Sequence, residues 1–121
     1  QNKIRTSLFI NQKFKDINTS KKLGTTCVEL HTGRISSRIK KKRNYSSDFI
    51  KIKKCATAAN NIGLEVHAGH GMDYNTAKLL SKVKEIKEFN IGHFIIGESI
   101  FSGFKHIIKK FNRFIKKKWK L

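Results

Sequence analysis

The residues best suited to chemistry lie in Ala68-Gly69-His70-Gly71, where an apolar run ends in an imidazole set among small residues. Imidazole gains and loses a proton near neutrality, and N–H groups left unpaired in a glycine-containing turn can receive an anion. His70, just past the C-terminal end of the expected strand, is therefore the first candidate for function. Two more histidines stand beside glycines, in His31-Thr32-Gly33 and Gly92-His93, and a carboxylate, Glu29, interrupts the apolar stretch from Thr25 to His31. A charge inside such a stretch either faces solvent at an edge or serves a site at some desolvation cost, and the residues alone leave both readings open. His31 reads as packing at a strand end. Cys27 reads as core rather than nucleophile, because no base can be placed beside it.

The elements that position these groups follow from periodicity. Leu64 to Val66 is expected to be a buried strand core, entered from Gly63 at the end of a helix and left through the turn Ala68 to Gly71. Ile4 to Ile10 and Thr25 to His31 read as strands of β-branched and aromatic residues, with a short helix from Phe14 to Leu23 between them. Arg34 to Arg43 carries six cationic residues and reads as a loop or frayed turn. Ser46, Ser47 and Asp48 offer N-caps to a helix whose apolar face is Phe49, Ile52, Ala56 and Ala59, and Asp73 caps another with Ala77, Leu80 and Val83 inward. Phe89 to Ile96 reads as the fourth strand and Gly97 to Gly103 as one short helical turn. Phe104, Ile107, Ile108, Phe111 and Ile115 then stripe a last helix opposite its lysines, ending in the cationic turn Lys116 to Lys120.

Strand and helix thus alternate four times, which implies a parallel sheet. Four such units leave two raw edges and one uncovered face, so the chain is expected to be half of something or to pair with a copy of itself. A length of 121 residues beginning with Gln1 agrees with a piece of a longer chain.

Composition narrows the classes of function. The 27 Lys and Arg against 8 Asp and Glu give a formal charge of +19, which attracts phosphorylated metabolites, acidic lipid or nucleic acid. Lysine, however, dominates these cations and proline is absent, as in codon drift in an AT-rich genome, whereas a selected nucleic-acid surface would use more arginine. Two cysteines, Cys27 and Cys55, are too few for a disulfide framework or a zinc site by spacing, and read as reduced thiols of a cytosolic protein. The sequence contains neither a run of about 18 apolar residues nor a secretory leader pattern, so no membrane role is expected.

Ser7-Leu8-Phe9-Ile10, Glu29-Leu30-His31-Thr32-Gly33, Ala68-Gly69-His70-Gly71 and Asn90-Ile91-Gly92-His93 occur in this order. The set resembles the C-terminal half of the pyridoxine 5'-phosphate synthase family of vitamin B6 biosynthesis, over nearly the whole chain. The resemblance implies an α/β fold in which residues 1–121 form a single partial domain, strands five to eight of a (β/α)8 TIM barrel with a closing C-terminal helix. It implies condensation of 1-deoxy-D-xylulose 5-phosphate with 3-amino-2-oxopropyl phosphate to pyridoxine 5'-phosphate, phosphate and water, without metal or organic cofactor. By motif position it makes His70 the proton donor and Glu29 the carboxylate that stabilises the transition state. Gly71, Gly92 and His93 become substrate-binding positions. The implied partners are phosphorylated small molecules, a missing N-terminal half-barrel and further copies in a homo-oligomer, in the cytoplasm. The sequence departs from the pattern in His67, where the family has Asn, in Asn11, where Asp is common, and in the basic stretch from Arg34 to Asn44. The alternative expectation is a decayed remnant that binds RNA or another polyanion through its basic surface without catalysis.

Overall fold

A computed structural model describes residues 4–116. Four strands, β1 (Ser7–Ile10), β2 (Cys27–His31), β3 (Glu65–Gly69) and β4 (Ile86–Asn90), form one parallel sheet in sequence order. The helices are α1 (Phe14–Lys22), α2 (Gly33–Lys40), α3 (Ser46–Asn61), α4 (Tyr74–Leu80), α5 (His93–Ser102) and α6 (Phe104–Lys116). Parallel strands alternating with helices, with every neighbour in the sheet also the neighbour in sequence, are the arrangement of half a (β/α)8 barrel. The last residues of the cationic C-terminal turn, 117–121, lie outside the described residues.

The two faces of the sheet differ because side chains alternate along a strand. Val28 and Leu30 of β2 and Val66 and Ala68 of β3 are fully buried against the helices, paired Val28 with Val66 and Leu30 with Ala68. Ile17, Ile35, Ile52, Ala56, Ala59, Ala77 and Ile107 meet them from the helix layer. Burying a side chain such as Leu30 completely contributes about 1.5–3 kcal/mol. The opposite face carries Cys27, Glu29 and His31 of β2 beside Glu65, His67 and Gly69 of β3. It is polar, and no helix of the described residues covers it.

Two expectations are corrected. Arg34 to Arg43 is not a loop: most of it is α2, because Ile35 and Ser36 are buried while Arg34 and Arg38, one turn apart, both form ion pairs with Asp48 at 3.0 Å. Ser46, Ser47 and Asp48 do not cap α3 but lie in its first turn, after Tyr45, and the N–H of Ser46 donates to the Asn44 side chain at 2.9 Å. Nor does the fourth strand run from Phe89 to Ile96. It is Ile86–Asn90, and the chain turns at Gly92 into the ten-residue α5 rather than forming a single turn after Gly97. Phe94 and Ile95 pack on the core as helical neighbours, whereas Ile96, Ile100 and Phe101 are exposed. Smaller corrections concern ends: β3 includes Ala68 and Gly69, so the turn begins at His70, and β1 begins at Ser7. Ile107 and Phe111 of the last helix are buried as expected, but Phe104 is exposed.

Asp73 does cap α4, accepting from the N–H and the hydroxyl of Thr76, each at 2.8 Å. Tyr74, just after it, packs on Phe94 and Phe111 with ring centroids 4.8 and 4.6 Å apart, tying α4, α5 and α6 together. These contacts fix where α5 begins, and with it the position of Gly92 and His93.

Candidate active site

β3 ends in two residues with left-handed backbone, His70 at φ 80° and Gly71 at φ 70°. Glycine reaches that region without cost, but a histidine there is strained and must be held by its surroundings. The neighbouring strand end does this. Thr32 is buried, and its hydroxyl lies within donating distance of the carbonyls of Gly69 and His70, at 2.7 and 2.8 Å, while its N–H donates to Gly69 at 2.8 Å. From α2, Lys40 Nζ donates to the Gly71 carbonyl at 3.0 Å.

The ring of His70 stacks on that of His31, centroids 4.6 Å apart and 29° from parallel. Phe9 of β1 stands against both, 5.1 Å from His31 and 6.2 Å from His70. His31 is itself fixed: its Nδ1 accepts from the Gly33 N–H at 3.3 Å, and the Gln12 amide donates to its carbonyl.

Glu29 lies on the uncovered face of β2, between β1 and β3, so the edge reading of this carboxylate falls away. Its Oε2 accepts from Asn90 Nδ2 of β4 at 2.7 Å, a contact that reaches across β3. The absence of a side chain at Gly69 makes that reach possible, because a Cβ there would overlap Glu29 Oε1.

Gly92 is the N-cap of α5 and His93 its first residue. The first N–H groups of a helix lack intrahelical partners and carry its positive end, so an anion in front of them is stabilised. The sequence expectation put this helix start after Ile96; it lies at the glycine-histidine pair itself.

His70, Gly71, Glu29, Gly92 and His93 all line one open cavity of about 680 Å³ at the C-terminal ends of the strands, where barrel enzymes of this architecture place their chemistry. Phe9, Lys40 and Asn90 line it as well. Sequence reasoning missed these three and the His31 stack. Only the alternation of β1 and β4 could have put Phe9 and Asn90 on the same face as Glu29.

A second polar group lies deeper on the same face, towards the N-terminal ends of the strands. Cys27 Sγ, a Glu65 carboxylate oxygen and a His67 ring nitrogen lie within 4.8 Å of one another, a grouping that spacing along the chain did not reveal. Arg5 Nη2 already stands between two of these donors, 3.0 Å from Cys27 Sγ and 2.8 Å from Glu65 Oε1. The guanidinium supplies the positive charge that a cation would bring. His67 Nε2 is 2.8 Å from Glu65 Oε1, and its Nδ1 faces Glu88 at 3.7 Å. The hydrogen bond from His67 first, and that from Arg5 second, hold the Glu65 carboxyl below its ordinary value. His67 thus belongs to this carboxylate cluster and does not line the cavity of His70.

Residues 1–117 match the family model described as pyridoxal phosphate biosynthesis protein PdxJ. The chain is 56% identical over 114 residues to the pyridoxine 5'-phosphate synthase of Pelagibacter ubique (strain HTCC1062), covering 94% of this chain and 48% of that protein. It is 37% identical to the synthase of Campylobacter fetus subsp. fetus, covering 95% of this chain and 53% of the relative. With that of Xanthobacter autotrophicus it shares 43%, covering 88% and 42%. The chain spans about half the length of the curated relatives it matches. No helix of the described residues is long and apolar enough to cross a membrane. With a matching family model over almost its whole length and half a barrel whose motif residues meet at one cavity, the chain belongs to the PdxJ family of pyridoxal phosphate biosynthesis proteins.

Proposed function

We propose that the chain is the C-terminal half, strands five to eight, of a cytoplasmic pyridoxine 5'-phosphate synthase that condenses 1-deoxy-D-xylulose 5-phosphate with 3-amino-2-oxopropyl phosphate. The observation that carries this reading is the meeting of His70, Glu29, Gly71, Gly92 and His93 at one cavity, in a chain 56% identical to a protein of that name. Building an aromatic ring from two acyclic phosphates takes several proton transfers and dehydrations, and His70 is the proton donor for one of them. Glu29, oriented by Asn90, stabilises the cationic imine character that develops as amine and ketone join. Gly92 and His93 present the α5 N–H groups to a substrate phosphate, and Gly71 lets substrate approach the backbone beside His70.

The remaining acid and base groups belong to an N-terminal half-barrel, which also covers the polar inner face, and whole barrels associate as a homo-oligomer. The basic stretch lends less to a polyanion-binding reading than its composition suggests, since Arg34 and Arg38 are engaged by Asp48. The test is a coupled assay for pyridoxine 5'-phosphate with this chain alone and with the full-length protein that contains it. Product from the full-length protein only, with a loss of roughly 10²- to 10⁴-fold in His70→Ala, is expected. No product from the full-length protein, or a full rate in His70→Ala, would overturn the proposal.

A further inference from the structure

The three residues His31-Thr32-Gly33 at the end of β2 each act on His70. Thr32 holds the carbonyls of the two peptides that flank His70, those of Gly69 and of His70 itself, fixing the backbone that His70 adopts at φ 80°. His31 lays its ring along the His70 ring at 4.6 Å, and its own rotation is stopped by the Gly33 N–H on Nδ1. Gly33 is the third part: a Cβ there would stand 2.6 Å from His31 Cε1 and 2.9 Å from His70 Cδ2, so only glycine leaves room for the pair of rings. Register brings the two together, since His31 pairs with Gly69 across the ladder and His70 follows at the strand end.

We infer that His31 is a positioning residue, which acts by stacking its imidazole on that of His70 and so fixes the direction in which the His70 nitrogens face the cavity. With the Gly33 N–H donating to Nδ1, the ring of His31 in its neutral form carries its proton on Nε2. A ring held at both its backbone and one nitrogen loses no further freedom when it serves as a platform. The exposed His70, by contrast, depends on that platform for a single orientation, because its strained backbone leaves the side chain outside the sheet. Proton transfer requires the donor nitrogen within hydrogen-bond reach of the substrate, and an error of about 1 Å costs on the order of 10²-fold in rate.

The inference rests on the proposed role of His70, and its test separates the two. In the full-length protein, His31→Ala is expected to lower kcat by roughly 10- to 100-fold with KM for both substrates changed less than about 2-fold. His31→Phe, which keeps a stackable ring, restores most of kcat. Gly33→Ala, which keeps the imidazole at position 31 but pushes both rings out of their stack, lowers kcat like His31→Ala. Independently of activity, the ring protons of His70 are followed by NMR: the upfield displacement due to the stacked ring is present in the parent and in His31→Phe, and lost in His31→Ala.

An unchanged His70 spectrum in His31→Ala overturns the inference even if the protein proves not to be a synthase. So does a kcat in His31→Phe as low as in His31→Ala, or a loss confined to KM. Absence of product in the parent with the expected NMR changes would remove the proposed function and leave the ring platform standing.

Discussion

Gly69 and Glu29 stand on adjacent strands, and the space left by the missing side chain of the one is filled by the carboxylate of the other. The peptide oxygen of Asn90 closes the far side of that space, 3.0 Å from where a Cβ would lie, so the carboxylate is confined between β2 and β4.

Gly69→Ala is therefore expected to turn Glu29 out of its hydrogen bond with Asn90. Overpacking of this kind costs about 1–3 kcal/mol of stability, and if Glu29 has the role proposed above, misplacing its carboxylate is expected to lower the synthase rate of the full-length protein by roughly 10²-fold. Urea unfolding measures the first and the coupled assay the second. Asn90→Ala, which removes the partner and adds no bulk, is expected to lower the rate with little change in stability, so equal stability losses in both variants would contradict the steric account.

Gly71 is required for a different reason. A Cβ there would meet its nearest atom, Gly33 Cα, at an ordinary 3.6 Å, but φ is 70°. Gly71→Ala pays only the left-handed backbone penalty, about 1–2 kcal/mol. Gly71→Asn, whose side chain tolerates that region, is expected to lose less. A larger loss in Asn than in Ala, read from urea midpoints, would point to crowding instead of backbone strain.

Asp48 fastens α2 to the start of α3 through two arginines, one of them largely exposed. Asp48→Asn is expected to cost about 1 kcal/mol, since exposed partners return little and the paired geometry adds some. It also releases two cations into a basic stretch, so binding of a model polyanion such as heparin should strengthen and should weaken again with salt. Unchanged heparin affinity would mean that the two arginines are already available to solution.

Three strands and the glycine-bounded turns at the strand ends were legible in the sequence because β-branched runs and such turns are local signals, while the fourth strand was legible in its existence but not in its bounds. Gly63 ending α3 at φ 77° and Asp73 capping α4 are of that kind. What was not legible depends on contacts between distant residues. In α2 the inward face is little more than Ile35, Ser36 and Ile39, masked by three cations in the helix and three more just after it; its anchor, Asp48, belongs to the next helix. Phe94-Ile95-Ile96 fits a strand or a helix equally well, and the aromatic packing of Phe94 on Tyr74 and Phe111 decides for the helix. The candidate residues were readable from motif order, but the stack of His31 on His70 and the bond from Asn90 to Glu29 exist only through the register of the sheet.

The carboxylate cluster below the cavity gives a dependence on acid. His67 and then Arg5 lower the pKa of Glu65 from its ordinary 4.5 in the folded state, and the pairing with Cys27 and Glu65 raises that of Arg5 further above the range where it titrates. Because the folded value of Glu65 lies below the unfolded one, its contribution is fully present above the ordinary value and fades as pH falls through the folded value. Glu65→Gln is accordingly expected to lower the urea midpoint at neutral pH, with the gap to the parent closing as pH falls below the ordinary value. Both partners are solvent-accessible on this face, so salt should shrink the same gap. A gap that stays constant from neutral pH into acid would show that Glu65 acts through packing, and that the guanidinium and imidazole around it carry no charge-dependent stability.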